Sequence, residues 1–318
     1  MDYSANIPLL NVDQSYMLKN YGDVQTELSK APLADKSVIV TTRDGKRYVD
    51  WTEDDSSHAF TAFKEIANVW QQIGLSDQYL VYGKQSLRGE DQSFRWEAVP
   101  YYHTTNWFSE VWQQLVVLFK IAVGGLTASE ETLREWTEEY TTASSNPKEI
   151  LLKQEQHLGE NVDAFCNPKV INNQWILEGD KVRVLYSYAP LGEEKLHFLF
   201  MPKRHEPDFN KFTEEEYLEI ADLSKKMIVH LSEKYTQIEE VHFFRKFGKD
   251  AGQTEFHGHL HMVLTASKTD NFWSYLKVAC NILFFSPRLS DADLKIRVEG
   301  FRNELTTNFN NKGTEINL

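Results

Sequence analysis

The sequence predicts an α+β fold built from two copies of one unit, and three observations carry that prediction. Two segments of strand–helix–strand pattern repeat along the chain: 213 − 52 and 253 − 92 both give 161. Each repeat places a Thr before its helix, with an acid three residues later. Hydrophobic residues make up 41% and aromatics 13% of the 318 residues, enough to fill a sizeable core.

Residues 1–28 are weakly patterned. From there the elements can be laid against one another. Ala31-Pro32-Leu33 resembles Ala189-Pro190-Leu191, and an apolar strand follows each: Ser37 to Val40, and Leu196 to Met201. Thr52 and Thr213 read as N-caps. Behind them Ala59, Phe63, Ile66, Trp70 and Ile73, and in the second copy Ile220, Leu223, Met227 and Leu231, recur at helical spacing. Tyr79–Tyr82 and Val241–Phe244 predict the next strands, and Gln92-Ser93 aligns with Gln253-Thr254. Asn106-Trp107-Phe108 and Asn271-Phe272-Trp273 each open an apolar helix whose aromatics are expected in the core. Between the copies, Thr127 and Glu130 suggest a capping box for a helix reaching about Thr142, with a break at Ser144–Pro147 and a short helix near Lys148 to Leu158. A last helix is expected from Asp291 to Leu305. The implied boundaries are a first module over 1–126, a helical linker over 127–160, a second module over 161–290, and a C-terminal helix and tail over 291–318.

A net charge of −13 argues against non-specific nucleic-acid binding, which needs a cationic surface. Two cysteines, Cys166 and Cys280, are too few for a disulfide framework, which suggests a reducing, cytoplasmic setting. The N-terminus shows no signal-peptide pattern. The most apolar window, Leu115 to Val123, is too short to span a bilayer and reads as a buried helix. No membrane association is expected.

The chemistry concentrates in Gln253–Leu264, where His257, His259 and His261 stand at i, i+2 and i+4. A strand's period of two would put all three imidazoles on one face. Taken alone, such a row suits phosphate chemistry or a metal. Shifted back by 161, the three positions are Trp96, Ala98 and Pro100, and His205 becomes Asp44. The first copy therefore reads as a degenerate structural partner.

Further motifs surround the row. Ala251-Gly252-Gln253-Thr254 precedes it, Phe198 to His205 forms a strand ending in Pro-Lys-x-His, and Phe165-Cys166 opens the segment. With these four motifs in order, the stretch from about Cys166 to Leu264 resembles the histidine triad (HIT) superfamily, with Gly258 where that family carries an apolar residue. The resemblance implies two HIT-like modules, each an antiparallel sheet crossed by a long helix, paired as an intramolecular pseudo-dimer and hence a monomer. The galactose-1-phosphate uridylyltransferase branch has such a tandem but replaces the third His by Gln; the retained His261 leans towards hydrolysis.

The activity implied is that of a nucleotide hydrolase or nucleotidyl transferase, acting at an α-phosphorus through a covalent nucleotidyl-histidine, with a nucleotide-like small molecule as substrate and no cofactor. His259 would be the nucleophile, His257 and His261 would hold phosphate oxygens and the leaving group, and His205 would close the cluster. Gln253 and Thr254 would donate to phosphate, and Lys203, Arg204, Arg245, Lys246 and Lys249 would add positive potential. Lys246 stands where the family often has Asn, and Ser187 where it often has the acid that holds the ribose. His197 is a further candidate near the site. No metal is assigned; the alternatives are a zinc ion on the triad histidines with His205, a non-catalytic nucleotide sensor, and an interaction protein using the extra helices.

Overall fold

A computed structural model describes residues 16–75, 78–89, 92–102, 106–146, 163–248, 251–253, 255–266 and 288–311. Thr254, Lys249, Cys280, and the helices expected near 148–158 and after Asn271 lie outside the described residues.

The first half contributes strands β1 (Met17–Tyr21), β2 (Val24–Leu28), β3 (Val38–Thr42), β4 (Tyr79–Ser86) and β5 (Arg95–Pro100). The second contributes β6 (Trp175–Glu178), β7 (Val182–Tyr186), β8 (Leu196–Pro202), β9 (Glu240–Phe247) and β10 (Leu260–Thr265). All ten join in one sheet, in the order β1-β2-β3-β5-β4-β9-β10-β8-β7-β6. Counted outward from the centre, the two halves have the same connectivity. They meet at β4 and β9, which run antiparallel from Tyr79 opposite Phe247 to Ser86 opposite Glu240. Pairing these strands removes two open edges. The fold is thus α+β, and the shared connectivity is consistent with two modules joined at the central strand pair. The edge hairpins β1–β2 and β6–β7 were not anticipated, because strands of four or five residues with mixed burial carry little periodic signal.

Helices α1 (Glu53–Gln72) and α5 (Glu214–Lys234), the second of these preceded by the short α4 (Pro168–Gln174), lie on one face of the sheet. Both begin with the expected capping boxes, Thr52 with Asp55 and Thr213 with Glu216, each satisfying two otherwise orphaned backbone donors. Their apolar stripes bury Phe63, Ile66 and Trp70, and Ile220, Met227 and Leu231, in a core shared by both halves, where Phe60 stacks on Tyr217 at 4.7 Å.

Three expectations need correction. Helix α3 (Glu130–Ser145) starts after Ser129, whose hydroxyl caps Thr132 N–H, and not at a Thr127–Glu130 box. The aromatics of α2 (Trp107–Val123) are not all core: Phe108 is 65% and Trp112 59% exposed. The last helix, α6, runs on to Asn311 (Asp291–Asn311).

The repeat offset also changes inside the sheet. Antiparallel partners share a face, so equivalent strand positions must differ by an even number if both halves keep their helices on one side. Trp96 and Ala98, 161 residues before His257 and His259, pack in the helix-side core. The opposite face of β5 carries Arg95, Glu97 and Val99. Neither face of β5 carries an imidazole, so the first half still lacks the triad.

Candidate active site

The site lies on the sheet face turned away from α1 and α5. Along β10, Leu260, Met262 and Leu264 point into the main core, while Val263 packs in a smaller cluster with Phe244, Leu80 and Val99. By alternation His261 shares the side of Val263.

Only His261 lies within the strand. His259 immediately precedes it, and His257 sits in a bend. The single three-ring row expected from the i, i+2, i+4 spacing is therefore divided into two clusters. Gly258 shows why. Its N–H donates to the Glu206 carbonyl at 2.8 Å, and a Cβ there would come within 2.8 Å of Phe212 and 3.0 Å of the Glu206 oxygen. The chain is pressed against residues 206–212 at this point and cannot yet join the sheet.

The first cluster is His259, His261 and His197. The rings of His259 and His261 are 4.6 Å apart, and Phe244 stacks on His261 at 4.2 Å and 13°. His197, on β8, brings Nε2 to 2.9 Å from His261 Nδ1. The hydrogen-bond directions define the tautomers. The backbone N–H of Leu191 donates to His197 Nδ1 at 3.2 Å, so the proton of neutral His197 sits on Nε2 and is donated to His261 Nδ1. The proton of His261 is then on Nε2. His259 Nδ1 lies 2.7 Å from the His257 carbonyl, which can only accept, so His259 keeps its Nε2 lone pair. A nucleophilic nitrogen thus stands beside an N–H donor. Burial keeps these rings neutral, lowering His197 to about 3, His259 to about 4 and His261 well below the usual histidine range.

The second cluster is His257, His205, Asp163 and Cys166. His257 Nε2 donates to the Pro202 carbonyl at 3.0 Å, and its Nδ1 faces Asp163 Oδ2 at 2.8 Å. His205 Nδ1 lies 3.0 Å from the same oxygen, and Cys166 Sγ lies 3.5 Å and 3.7 Å from the two imidazole Nδ1 atoms. Burial tends to raise the Asp163 carboxyl, but hydrogen bonds from His257, Cys166 and the Phe165 N–H hold it well below the usual carboxylate range. One ligand atom from each residue falls within 4.8 Å of all the others. A tetrahedral cation with bonds of about 2.0–2.3 Å fits that spacing. The local chemistry agrees: with Nε2 donating to a carbonyl, the Nδ1 of His257 faces a carboxylate, an arrangement that calls for a proton or a cation between them.

The remaining predicted residues are placed as follows. His205 joins the second cluster, and it is His197 that meets the third histidine. Lys246 lies on the triad face of β9, where burial lowers its ammonium to about 8 and its charge acts on both His259 and His261. Gln253 is committed to its own loop, accepting from Gly248 N–H and donating to the Glu255 carbonyl. Ser187 is buried behind β8, where its hydroxyl accepts from Ala189 N–H and its N–H donates to the His197 carbonyl. Arg204 is tied to Glu206 and Glu216, and Arg245 points to the helix side. Asp163 escaped the sequence reading altogether. The spacing Asp163-x-x-Cys166 was the available signal, but its partners lie 39 to 94 residues away.

Residues 168–268 match the family model described as the HIT domain. The match covers about a third of the chain and contains every imidazole of the two clusters. The fold as a whole is shared with a solved structure described as a uridylyltransferase, at TM-score 0.51 and 10% identity, over 89% of this chain and 85% of that one. An ADP-glucose phosphorylase from Arabidopsis thaliana with bound ADP-glucose aligns at TM-score 0.49 and 10% identity, over 84% and 82%. A GalT-like protein from Arabidopsis thaliana aligns at 0.48 and 11%, over 79% and 76%. No curated protein matches the sequence. Among the described residues no helix is long and apolar enough to cross a membrane.

Proposed function

We propose that the protein hydrolyses or transfers a nucleotidyl group at the α-phosphorus of a nucleotide-like compound, with His259 as nucleophile. The observation that supports this most strongly is the tautomer pair, a lone pair on His259 Nε2 beside an N–H on His261 Nε2. His259 Nε2 forms a bond to phosphorus as the bond to the leaving group breaks and the electron pair departs with that group. The His257 carbonyl, already bonded to His259 Nδ1–H, stabilises the positive charge that develops on the imidazole. The Nε2–H of His261 hydrogen-bonds the departing group or a phosphate oxygen, and Lys246 supplies positive potential. Water or an acceptor then attacks phosphorus, breaks the P–N bond and restores His259. The shared fold with a uridylyltransferase supports transfer as an outcome beside hydrolysis.

In this reading His257 and His205 do not touch phosphate; they position the turn that carries His259. Asp163, Cys166, His205 and His257 would hold a zinc-type cation whose contribution is structural, pinning residues 163–166 to the turn before β10. His259 and His261 lie outside this donor set, so a bound cation and a nucleophilic His259 are compatible. Metal analysis of protein purified without chelator is expected to give about one zinc per chain, lost in Cys166→Ala; metal-free protein with an unaltered melting curve in chelator would refute the cation.

The catalytic reading is tested with nucleoside phosphoramidates, dinucleoside polyphosphates and nucleotide sugars. Wild type is expected to turn over at least one class, and His259→Ala to lose roughly 10³-fold or more of that rate. Absence of turnover of every class, with tight nucleotide binding indifferent to His259→Ala, would favour a ligand sensor.

A further inference from the structure

On the helix side of the sheet, where the two halves meet, a small internal cavity of about 20 Å³ is lined by Phe63, Trp96, Phe209, Tyr217, Leu260 and Arg245, among others. Arg245 is 4% exposed and Trp96 3%. The Nε–H and one terminal N–H₂ (Nη2) of Arg245 and the indole N–H of Trp96 are buried with no acceptor. Both side chains are donors only, and a guanidinium keeps its charge in a protein. Aromatic faces cover part of that charge: the guanidinium carbon lies 3.0 Å above the Phe209 ring centroid and 5.7 Å and 5.9 Å from those of Phe63 and Tyr79. Ring faces do not supply acceptors in the guanidinium plane. Of the nearby polar groups, Tyr79 donates to Asn210 Oδ1, and Asp208 Oδ1 accepts from Asn210 N–H. The Tyr79 hydroxyl also accepts from the guanidinium, and the negative field of Asp208 reaches it.

We propose that this cavity is a site for one small monovalent anion of the halide class, held by Arg245 and Trp96. Left empty, the cavity would leave Arg245 Nε and Nη2 and Trp96 Nε1 buried without acceptors, a costly arrangement in a protein interior. The room available is that of one or two water-sized spheres, which admits a monatomic ion and excludes a carboxylate or phosphate. Water fits by size, but Arg245 Nε and Nη2 and Trp96 Nε1 offer it only donors, whereas an anion accepts from all three. Because Arg245 lies between Phe244, which stacks on His261, and Lys246, and because Leu260 separates His259 from His261, an ion here stiffens the strands directly behind the reactive rings.

Crystals of the full chain grown in sodium bromide test the site directly. An anomalous peak is expected within about 3.5 Å of Arg245 Nε or Nη2; density there without anomalous signal at molar bromide would overturn the proposal. In solution, the melting temperature of wild type is expected to rise with chloride or bromide over gluconate at matched ionic strength. That rise should vanish in Arg245→Met and weaken several-fold in Trp96→Phe. Equal halide dependence in wild type and a folded Arg245→Met, or none in wild type, would also overturn it.

Discussion

His259, His261 and His197 act as one unit because each ring's proton is assigned by its neighbour. The chain of donors runs from Leu191 N–H through His197 to His261, and ends in an N–H directed away from the backbone. His197 touches no substrate in this arrangement; it is a positioning residue that keeps His261 in the donor tautomer. Replacing it with Phe preserves ring volume and removes both hydrogen bonds. His197→Phe is expected to lower kcat by about 10- to 100-fold with little change in KM. Its kcat should also fall more steeply for poor leaving groups than for good ones. A purely structural role would change all substrates alike, or raise KM. This interaction was hard to read from sequence, since His197 and His261 lie 64 residues apart and their pairing follows only from the β8–β10 register, in which Val263 opposes His197. By contrast the proposed nucleophile stands out in the sequence, because it belongs to a compact run of alternating histidines. What the alternation could not show was the close approach of residues 206–212 at Gly258, which turns His257 out of the row.

At the scale of elements, the two capping boxes and the strands β3, β4, β8 and β9 were readable from local chemistry: a Thr followed by an acid, and apolar residues in sequence. The short edge strands and the even offset inside the sheet were not. An odd spacing of 161 aligns the helix caps but reverses the faces of the strands, and only the hydrogen-bonded register reveals this. The paired strands also carry an acid-sensitive load. Burial lowers His197 from the usual histidine value to about 3, so between those values the unfolded chain binds a proton that the folded chain refuses. Stability is therefore lost as pH falls below about 6.5. On β9, burial raises Glu240 but bonding to His242 and the charge of Lys84 outweigh it, taking the carboxyl down to about 2. That contribution is present above about 4.5 and disappears as pH falls towards 2. Denaturant titrations are expected to show unfolding free energy dropping by roughly a few kcal/mol between pH 6.5 and 4, with a shallower slope in His197→Phe. A flat profile over that interval would contradict the buried neutral assignment.

For the molecule as a whole, the central β4–β9 pair makes one body of two unequal halves. The first half has Arg95, Glu97 and Val99 on its β5 counterpart of the triad face and contributes no imidazole there; its role is to complete the sheet and half of the shared core. Both imidazole clusters belong to the second half, where a strand end, a bend and the residues around Asp163 converge. In the proposed reaction the two clusters divide the labour: Asp163, Cys166, His205 and His257 fix the turn, His259 and His261 face the substrate, and His197 positions His261. The most direct test of this division is to quench the protein during turnover of a substrate labelled at the α-phosphorus and map the label by peptide mass spectrometry. The account predicts an acid-labile, base-stable nucleotidyl group on His259, absent from His259→Ala and retained at higher occupancy in His261→Ala. Label on His257 or on any residue other than His259, or undiminished turnover by His259→Ala, would contradict it.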